Sequence, residues 1–410
     1  MTPSPARMSA RELRASLSLA SIFGLRLFGM FIILPVFALY AERLPGWNLT
    51  LVGVALGSYG LAQAALQAPF GWASDRLGRK PVLLAGLVVF AAGSLVCALA
   101  QSPWMVILGR TVQGAGAISG VAIAMAADLT RPSQRTKSMA IIGATIGLSF
   151  ALSFVAAPFL QHAIDVPGIF AMTAVLAVAA MAIVAWVVPT PAARRTDEPR
   201  VSFAAVLRDP ELLRLNVGIF GLHAILMALF VVVPLALVRA GLPAGSHWGM
   251  YLGAVGAGFL IMLPFVAIRI LARHERAIFL GAVGVLAAGL CVLAAAADRL
   301  WPLAAGLVIF FAAFNVLEAK LPALVSKAAP PSAKGAASGV YSSVQFLGTF
   351  VGGAAGGAIA QHFGPVAVLA CCIAIAAAWL AIAWPMGEPA AHEPEPQEPH
   401  EPHEPQATNP

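Results

Sequence analysis

The chain has 410 residues, 60% of them hydrophobic and 10% charged, with a mean hydropathy of +0.86 and a formal net charge of +7. Soluble domains are about 25% charged, so a water-soluble globular fold is excluded, and the basic residues form no patch that would suit nucleic acid. The four cysteines (Cys97, Cys291, Cys371 and Cys372) lie in apolar segments without CxxC spacing, which makes them small buried hydrophobes and excludes a disulfide framework.

A membrane-spanning helix needs about 20 mostly apolar residues. Twelve such segments follow one another near 17–40, 49–68, 81–100, 104–127, 138–160, 168–188, 214–238, 248–268, 276–297, 301–323, 337–360 and 365–385. The first resembles a secretory signal in following Arg7, Arg11 and Arg14. It is too long for one, holds Arg26 and lacks a small-residue cleavage site, so it is expected to remain as the first helix behind a cytoplasmic arm at 1–16. Lys and Arg then recur after every second segment, at Arg76, Arg79 and Lys80, at Arg131, Arg135 and Lys137, at Arg269, Arg273 and Arg276, and at Lys320, Lys327 and Lys334. The loops of the other side hold Arg43, Arg239 and Arg299. By the positive-inside rule both termini are cytoplasmic.

A polar, Pro- and Arg-rich stretch at 189–213 separates two six-segment halves, 17–188 and 214–386, and reads as a cytoplasmic linker. The halves repeat one another. "IFGLR" (22–26) returns as "IFGLH" (219–223), Pro35 as Pro234, "PF" (69–70) as "PF" (264–265), and "PSQR" (132–135) as "PSAK" (331–334), all at nearly one offset. Parallel repeats of this kind put a substrate site near the midplane between the halves. Glycine and alanine runs, "GAGAISG" (114–120) and "GTFVGGAAGGAIA" (348–360), allow close helix approach, either as static packing or as sliding surfaces. The tail 387–410 alternates Pro with Glu and His; it cannot bury apolar surface and is expected to be disordered, with His392, His400 and His403 solvated rather than metal-bound.

"GWASDRLGRKPVLL" (71–84) lies in the short turn between segments two and three. Gly71, Asp75, Arg76, Gly78, Arg79 and Lys80 resemble the signature G-x-x-x-D-R-x-G-R-[RK] of the major facilitator superfamily. The resemblance implies an all-α membrane protein of twelve helices in two pseudo-symmetric six-helix bundles. It also implies that Asp75 sits against the start of helix eleven and that Arg79 pairs with an acid ending helix four, the place of Asp128. "GRTVQGAGA" (109–117) resembles the family's R-x-x-Q-G pattern through Arg110, Gln113 and Gly114, which assigns Arg110 to proton coupling; on the residues alone it is equally an interhelical hydrogen-bond anchor. The antiporter pattern of helix five keeps Gly143, Gly147 and Pro158, but Ala157 replaces the glycine before the proline. "LRLFGMFIILPVFALY" (25–40) and the stretch 314–348 are similar to the YajR-like branch of bacterial proton-driven efflux carriers, a branch in which a C-terminal ferredoxin-like domain can follow the helices.

In the superfamily, helices one, four, seven and ten line the cavity, and here those four hold Arg26, Arg110, His223 and Glu318. Ionisable residues at membrane depth are costly and tend to face a bundle interior or a wet cavity. Glu318, with Asn315 one turn earlier, is the acid placed deepest and is expected to load and release the proton, with Arg26, Arg110 and His223 in the coupling set; a simple salt bridge to Lys320 is the rival reading. Gln113, Asn315, Tyr341 and Gln345 are the cavity-lining candidates. Arg26 stands where many exporters of organic cations carry an acid, so the cavity should suit neutral or anionic amphipaths. The expected function is secondary active transport by alternating access, as proton-coupled export of small amphipathic molecules from a bacterial inner membrane, by a monomer without cofactor or metal. A proton-coupled importer and a non-transporting sensor or scaffold are the alternatives. HExxH, GxSxG and Walker A sequences are missing, so neither an intramembrane enzyme nor ATP coupling is expected.

Overall fold

The computed structural model describes residues 8–190, 206, 208–267, 274–296, 298–330 and 333–387. The expected tail, most of the linker, Arg269, Arg273 and the start of "PSAK" lie outside the described residues. Among those described, every regular element is helical, and 11 helical stretches are long and apolar enough to cross a membrane. They are Ala10–Ala41, Leu49–Leu77, Arg79–Ala98, Pro103–Asp128, Lys137–Val187, Pro210–Arg239, Ala244–Phe265, Glu275–Ala295, Leu300–Ala328, Lys334–Phe363 and Pro365–Ala383. The 51-residue stretch is two spans. Ser153 donates to the Phe28 carbonyl, and Thr173 packs against Gly29 one residue later on the first span. A continuous helix would hold residues 153 and 173 about 30 Å apart. The chain instead reverses at Asp165, whose φ of 55° breaks the helix. Twelve spans result, numbered here in chain order.

Local sequence sets several of their ends. Ser9 and Glu12 form a capping box at the start of the first span. That span is interrupted at Ile32–Ile33, where Pro35 removes a backbone donor. Asn48 caps the second span, and Asp209 caps the seventh ahead of Pro210. The fourth span opens between Ala115 and Ser119, so the "GAGAISG" stretch is helical only at its two ends. The 71–84 stretch corrects the expectation of a turn: helix continues through Leu77 and resumes at Arg79, leaving Gly78 alone outside. Its φ of 93° is open to glycine and strained for other residues, which is why one residue suffices to reverse the chain.

Tryptophans mark two membrane interfaces. Trp104, Trp248 and Trp301 are exposed at one set of span ends and Trp72, Trp186 and Trp384 at the other, as amphipathic rings at the headgroup level would be.

The six-span halves meet along two seams. On the first, the second span packs against the eleventh: the Leu49 amide donates to Gln361 Oε1 (2.9 Å), Gly53 abuts Gly353 and Gly357, Gly57 abuts Phe350, and Gly60 abuts Phe346. On the second, the fifth span meets the eighth through Phe159 and Trp248 (5.4 Å between rings) and Phe154 and Tyr251 (5.5 Å), with Gly147 facing Phe259. Further along each seam, toward the termini, Gly71 and Gly143 face open space. Both seams are therefore closed at the end carrying the 42–48 loop and part toward the end carrying the termini. Phe150 bridges the floor of this cleft to Phe311 and Phe314 (6.4 and 6.1 Å).

Candidate functional site

The basic groups of the N-terminal half come together behind the cleft wall. Arg26 is 2% exposed. Its Nη1 donates to Ser119 Oγ (2.8 Å), and its Nη2 to Tyr59 Oη (2.6 Å), Gln63 Oε1 (2.8 Å) and the Gly116 carbonyl (3.1 Å). The break in the fourth span makes the Ser119 and Gly116 contacts available, because the Gly116 carbonyl lies outside regular helix there. Arg110, equally buried, donates through Nη1 to Gln113 Oε1 (3.0 Å), and Gln113 Nε2 donates to Ser94 Oγ on the third span (2.7 Å). The interhelical anchor is thus Gln113, with Arg110 positioning it. Both guanidinium groups lie over the Tyr59 ring, at 5.8 Å for Arg26 and 4.9 Å for Arg110. Among the described residues neither has a carboxylate within ion-pair distance. Hydrogen bonds to a charged donor and the aromatic face offset their desolvation. This is a buried pair of guanidinium groups inside one bundle. The sequence pointed to a wet cavity for Arg26, and the structure holds it one layer back.

The ionisable groups of the C-terminal half are at the cleft. Gln345 Nε2 is 2.8 Å from His223 Nε2 and 3.4 Å from Glu318 Oε1. Glu318 Oε2 lies 3.9 Å from His223 Nε2; the Glu318 side chain is 38% exposed and that of His223 12%. His223 Nδ1 is 3.3 Å from the Ile219 carbonyl, one turn back on its own span. Glu318 Oε2, Asn315 Nδ2 and Tyr341 Oη are buried atoms without a hydrogen-bond partner. Glu318 faces His223 and Gln345, and no ion pair joins it to Lys320 among the described residues.

The signature residues form a separate cluster at the open end. Arg79 pairs with Asp75 Oδ1 (2.7 Å) and Asp128 Oδ2 (3.0 Å) and donates to Ser74 Oγ (2.6 Å). Arg76 stacks on Trp72 at 4.1 Å, and Lys80 follows Arg79 on the third span. Asp128 is thus the partner of Arg79. The eleventh span is described from Ala333 onward, and the described partner of Asp75 is Arg79.

Sequence reasoning missed Tyr59, Gln63, Ser94, Ser119 and Ser74. Tyr59, Gln63 and Gln67 recur every four residues in the apolar middle of the second span, a polar stripe that marks a face turned to partners. Gln63 donates to Gln67 along it (3.0 Å).

The Major Facilitator Superfamily model matches residues 19–353 and, again, 269–409. The chain belongs to this superfamily. It is 43% identical over 387 residues to the inner membrane transport protein YajR of Escherichia coli K12, covering 93% of this chain and 85% of the relative. Multidrug resistance protein MdtH of Klebsiella pneumoniae (strain 342) is 27% identical over 230 residues, covering 54% of this chain and 56% of the relative. Among solved structures, a bacterial homologue of the human lysosomal transporter Spinster, in an inward-facing and occupied conformation, superimposes with a TM-score of 0.72 at 13% identity, covering 92% and 97% of the two chains. As a member of the superfamily, the chain is a transmembrane transporter.

Proposed function

We propose that this transporter exports small neutral or anionic amphipathic molecules in exchange for protons, by alternating access across a bacterial inner membrane with both termini in the cytoplasm. The observation that carries this reading is Glu318: a carboxylate open to the cleft on one side, with its second oxygen buried, unpartnered and beside His223. Such a group is wetted from whichever face the cleft opens to, and it gains or loses a proton there. With the termini in the cytoplasm, the cleft described above is the cytoplasm-facing state, ready to take substrate from inside the cell.

The bound charge of the N-terminal half supports the substrate class. Arg26 and Arg110 lie behind Tyr59, whose ring reaches Phe346 of the other half at 6.3 Å, so a fixed positive field is set beside the cleft. Like charges are disfavoured next to it and anions favoured. The name of the MdtH relative supports export rather than uptake.

The test is Glu318→Gln in proteoliposomes with an imposed pH gradient. Substrate-dependent acidification across a small chemical library identifies a transported compound for the wild type. The variant is expected to lose pH-gradient-driven transport of that compound while keeping binding within about threefold, because amide and carboxyl have the same shape but only one titrates. Undiminished proton coupling in Glu318→Gln overturns the assignment. Flow of substrate toward the cytoplasm when the outside is acid overturns the direction.

A further inference from the structure

We infer that the closed end of the C-terminal half holds a second binding site, an apolar cavity headed by Arg239, which takes the tail of a single-chain carboxylate amphipath. The cavity lies within one half, apart from the cleft, and the inference does not rest on the proposed export.

The seventh, ninth, tenth and twelfth spans enclose a cavity of about 300 Å³ at this end, the size at which ligand pockets begin. Val233, Leu293, Leu303 and Leu369 line it, one from each span. Ala236 and Ala294 line it too, and their short side chains leave the space open. Val366 in the wall is 65% exposed, so the cavity is open to its surroundings rather than sealed. Arg239 and Asp298 are its polar members, and all the other lining residues are apolar. Ordered water needs two to four polar partners each, and this wall supplies polar groups from one pair alone. What the cavity suits is an apolar tail with one polar end.

The sign of that polar end follows from the charges around it. Asp298 takes a left-handed backbone, φ 58°, which aspartate adopts more readily than most residues, where the chain turns from the ninth span to the tenth. From there it accepts from Arg239 Nε through Oδ1 (3.2 Å) and Oδ2 (3.3 Å). Arg239 Nη1 and Nη2 have no partner among the described residues, so the planar fork at the end of the side chain is left for a carboxylate. Arg299, the next residue, is exposed, so two basic residues stand against one acid and an anion is favoured.

The level of the site fits the same occupant. Trp301, two residues beyond Arg299, is 82% exposed, as a ring at the headgroup boundary would be. An amphipath held there keeps its carboxylate at the boundary beside Arg239 and sends its tail inward among the four spans. One cavity of this volume admits one chain, which separates a single-chain acid from a two-chain lipid.

The probe that tests this is a medium-chain fatty acid bearing a photoactivatable diazirine at the end of its tail. Full-length protein in phosphatidylcholine nanodiscs is irradiated with the probe, and the points of insertion are read by mass spectrometry. Insertion is expected to concentrate on the segments holding Leu293, Leu303 and Leu369. Arg239→Gln is expected to lower it there about tenfold, the loss of a hydrogen bond to a charged group. Ala236→Leu, which fills the space and leaves the charge in place, is expected to lower it at least as far, and Ala294→Leu serves should that variant fail to fold. Arg43→Gln, at the exposed ion pair of the other half, should leave insertion unchanged. Insertion spread evenly over the lipid-facing spans, equal insertion by an amine probe of the same length, or full insertion in folded Arg239→Gln overturns the inference. Competition decides the source: decanoate is expected to suppress insertion, whereas suppression by phosphatidylglycerol alone overturns the single-chain occupant.

Discussion

Arg26 and His223 stand at matching points of the two repeats, yet they live in opposite surroundings. Arg26 is enclosed by four neutral acceptors from the second and fourth spans. His223 looks across to the tenth and eleventh spans, where an acid and an amide meet it at the cleft, and it belongs to the residue type that titrates near neutrality. Duplication supplied the same position twice. One copy is enclosed among neutral partners inside its bundle, and the other meets an acid and an amide. The proposed proton-coupled mechanism uses both: the first as a constant field beside the cleft, the second as part of the group that exchanges the proton.

The contrast breaks most severely in Arg26→Ala. That change leaves a void and strips partners from Tyr59, Gln63, Ser119 and the Gly116 carbonyl, and is expected to destabilise the fold by about 3–5 kcal/mol. His223→Ala at the matching point, beside a cleft that admits water, is expected to cost no more than about 1–2 kcal/mol while altering the pH dependence of transport. Thermal unfolding of both variants in detergent compares them directly; equal losses would show that the two positions do the same structural work. The seam between the second and eleventh spans comes next. A methyl group at Gly53 would meet the Gly353 carbonyl, so Gly53→Ala is expected to disfavour the closed end by about 1–3 kcal/mol. Spin labels at positions 47 and 361 should then report a wider distance distribution than in the wild type. The smallest effect is expected at Arg43, whose pair with Asp165 is 63% and 43% exposed at 3.0 Å. Arg43→Gln should change stability by less than about 1 kcal/mol, and the difference should vanish in high salt.

Much of this architecture was legible in the chain. Apolar length alone marks the spans, because a bilayer forces every backbone group into helical bonds. The spacing of Gly71, Asp75, Arg76, Gly78, Arg79 and Lys80 marked a family, and Asp128 was found as the partner of Arg79. The repeat of "IFGLR" as "IFGLH" aligned Arg26 with His223. Other features were hidden for physical reasons. The opening at Gly116–Ile118 follows from packing against neighbours, since a Gly-Ala-Gly run inside an apolar segment is compatible with helix or with a break. Tyr59 became the shared platform of two guanidinium groups only through contact among three spans. Arg131 read as one more positive-inside charge, whereas it clasps Glu12, 119 positions earlier, through its backbone amide, Nε and Nη2 at 2.8–2.9 Å. A charge count carries no information about which distant segment a loop folds onto.

The glycine contacts of the second and eleventh spans carry a thermal consequence. Glycine has no side-chain torsions to lose, so the contact of Gly53 with Gly353 and Gly357 immobilises no side chain of its own. When that end parts, little torsional freedom is released to reward the separation. The balance between joined and parted is then set by how well two bare backbones fit, and warming alone should do little to spring them apart.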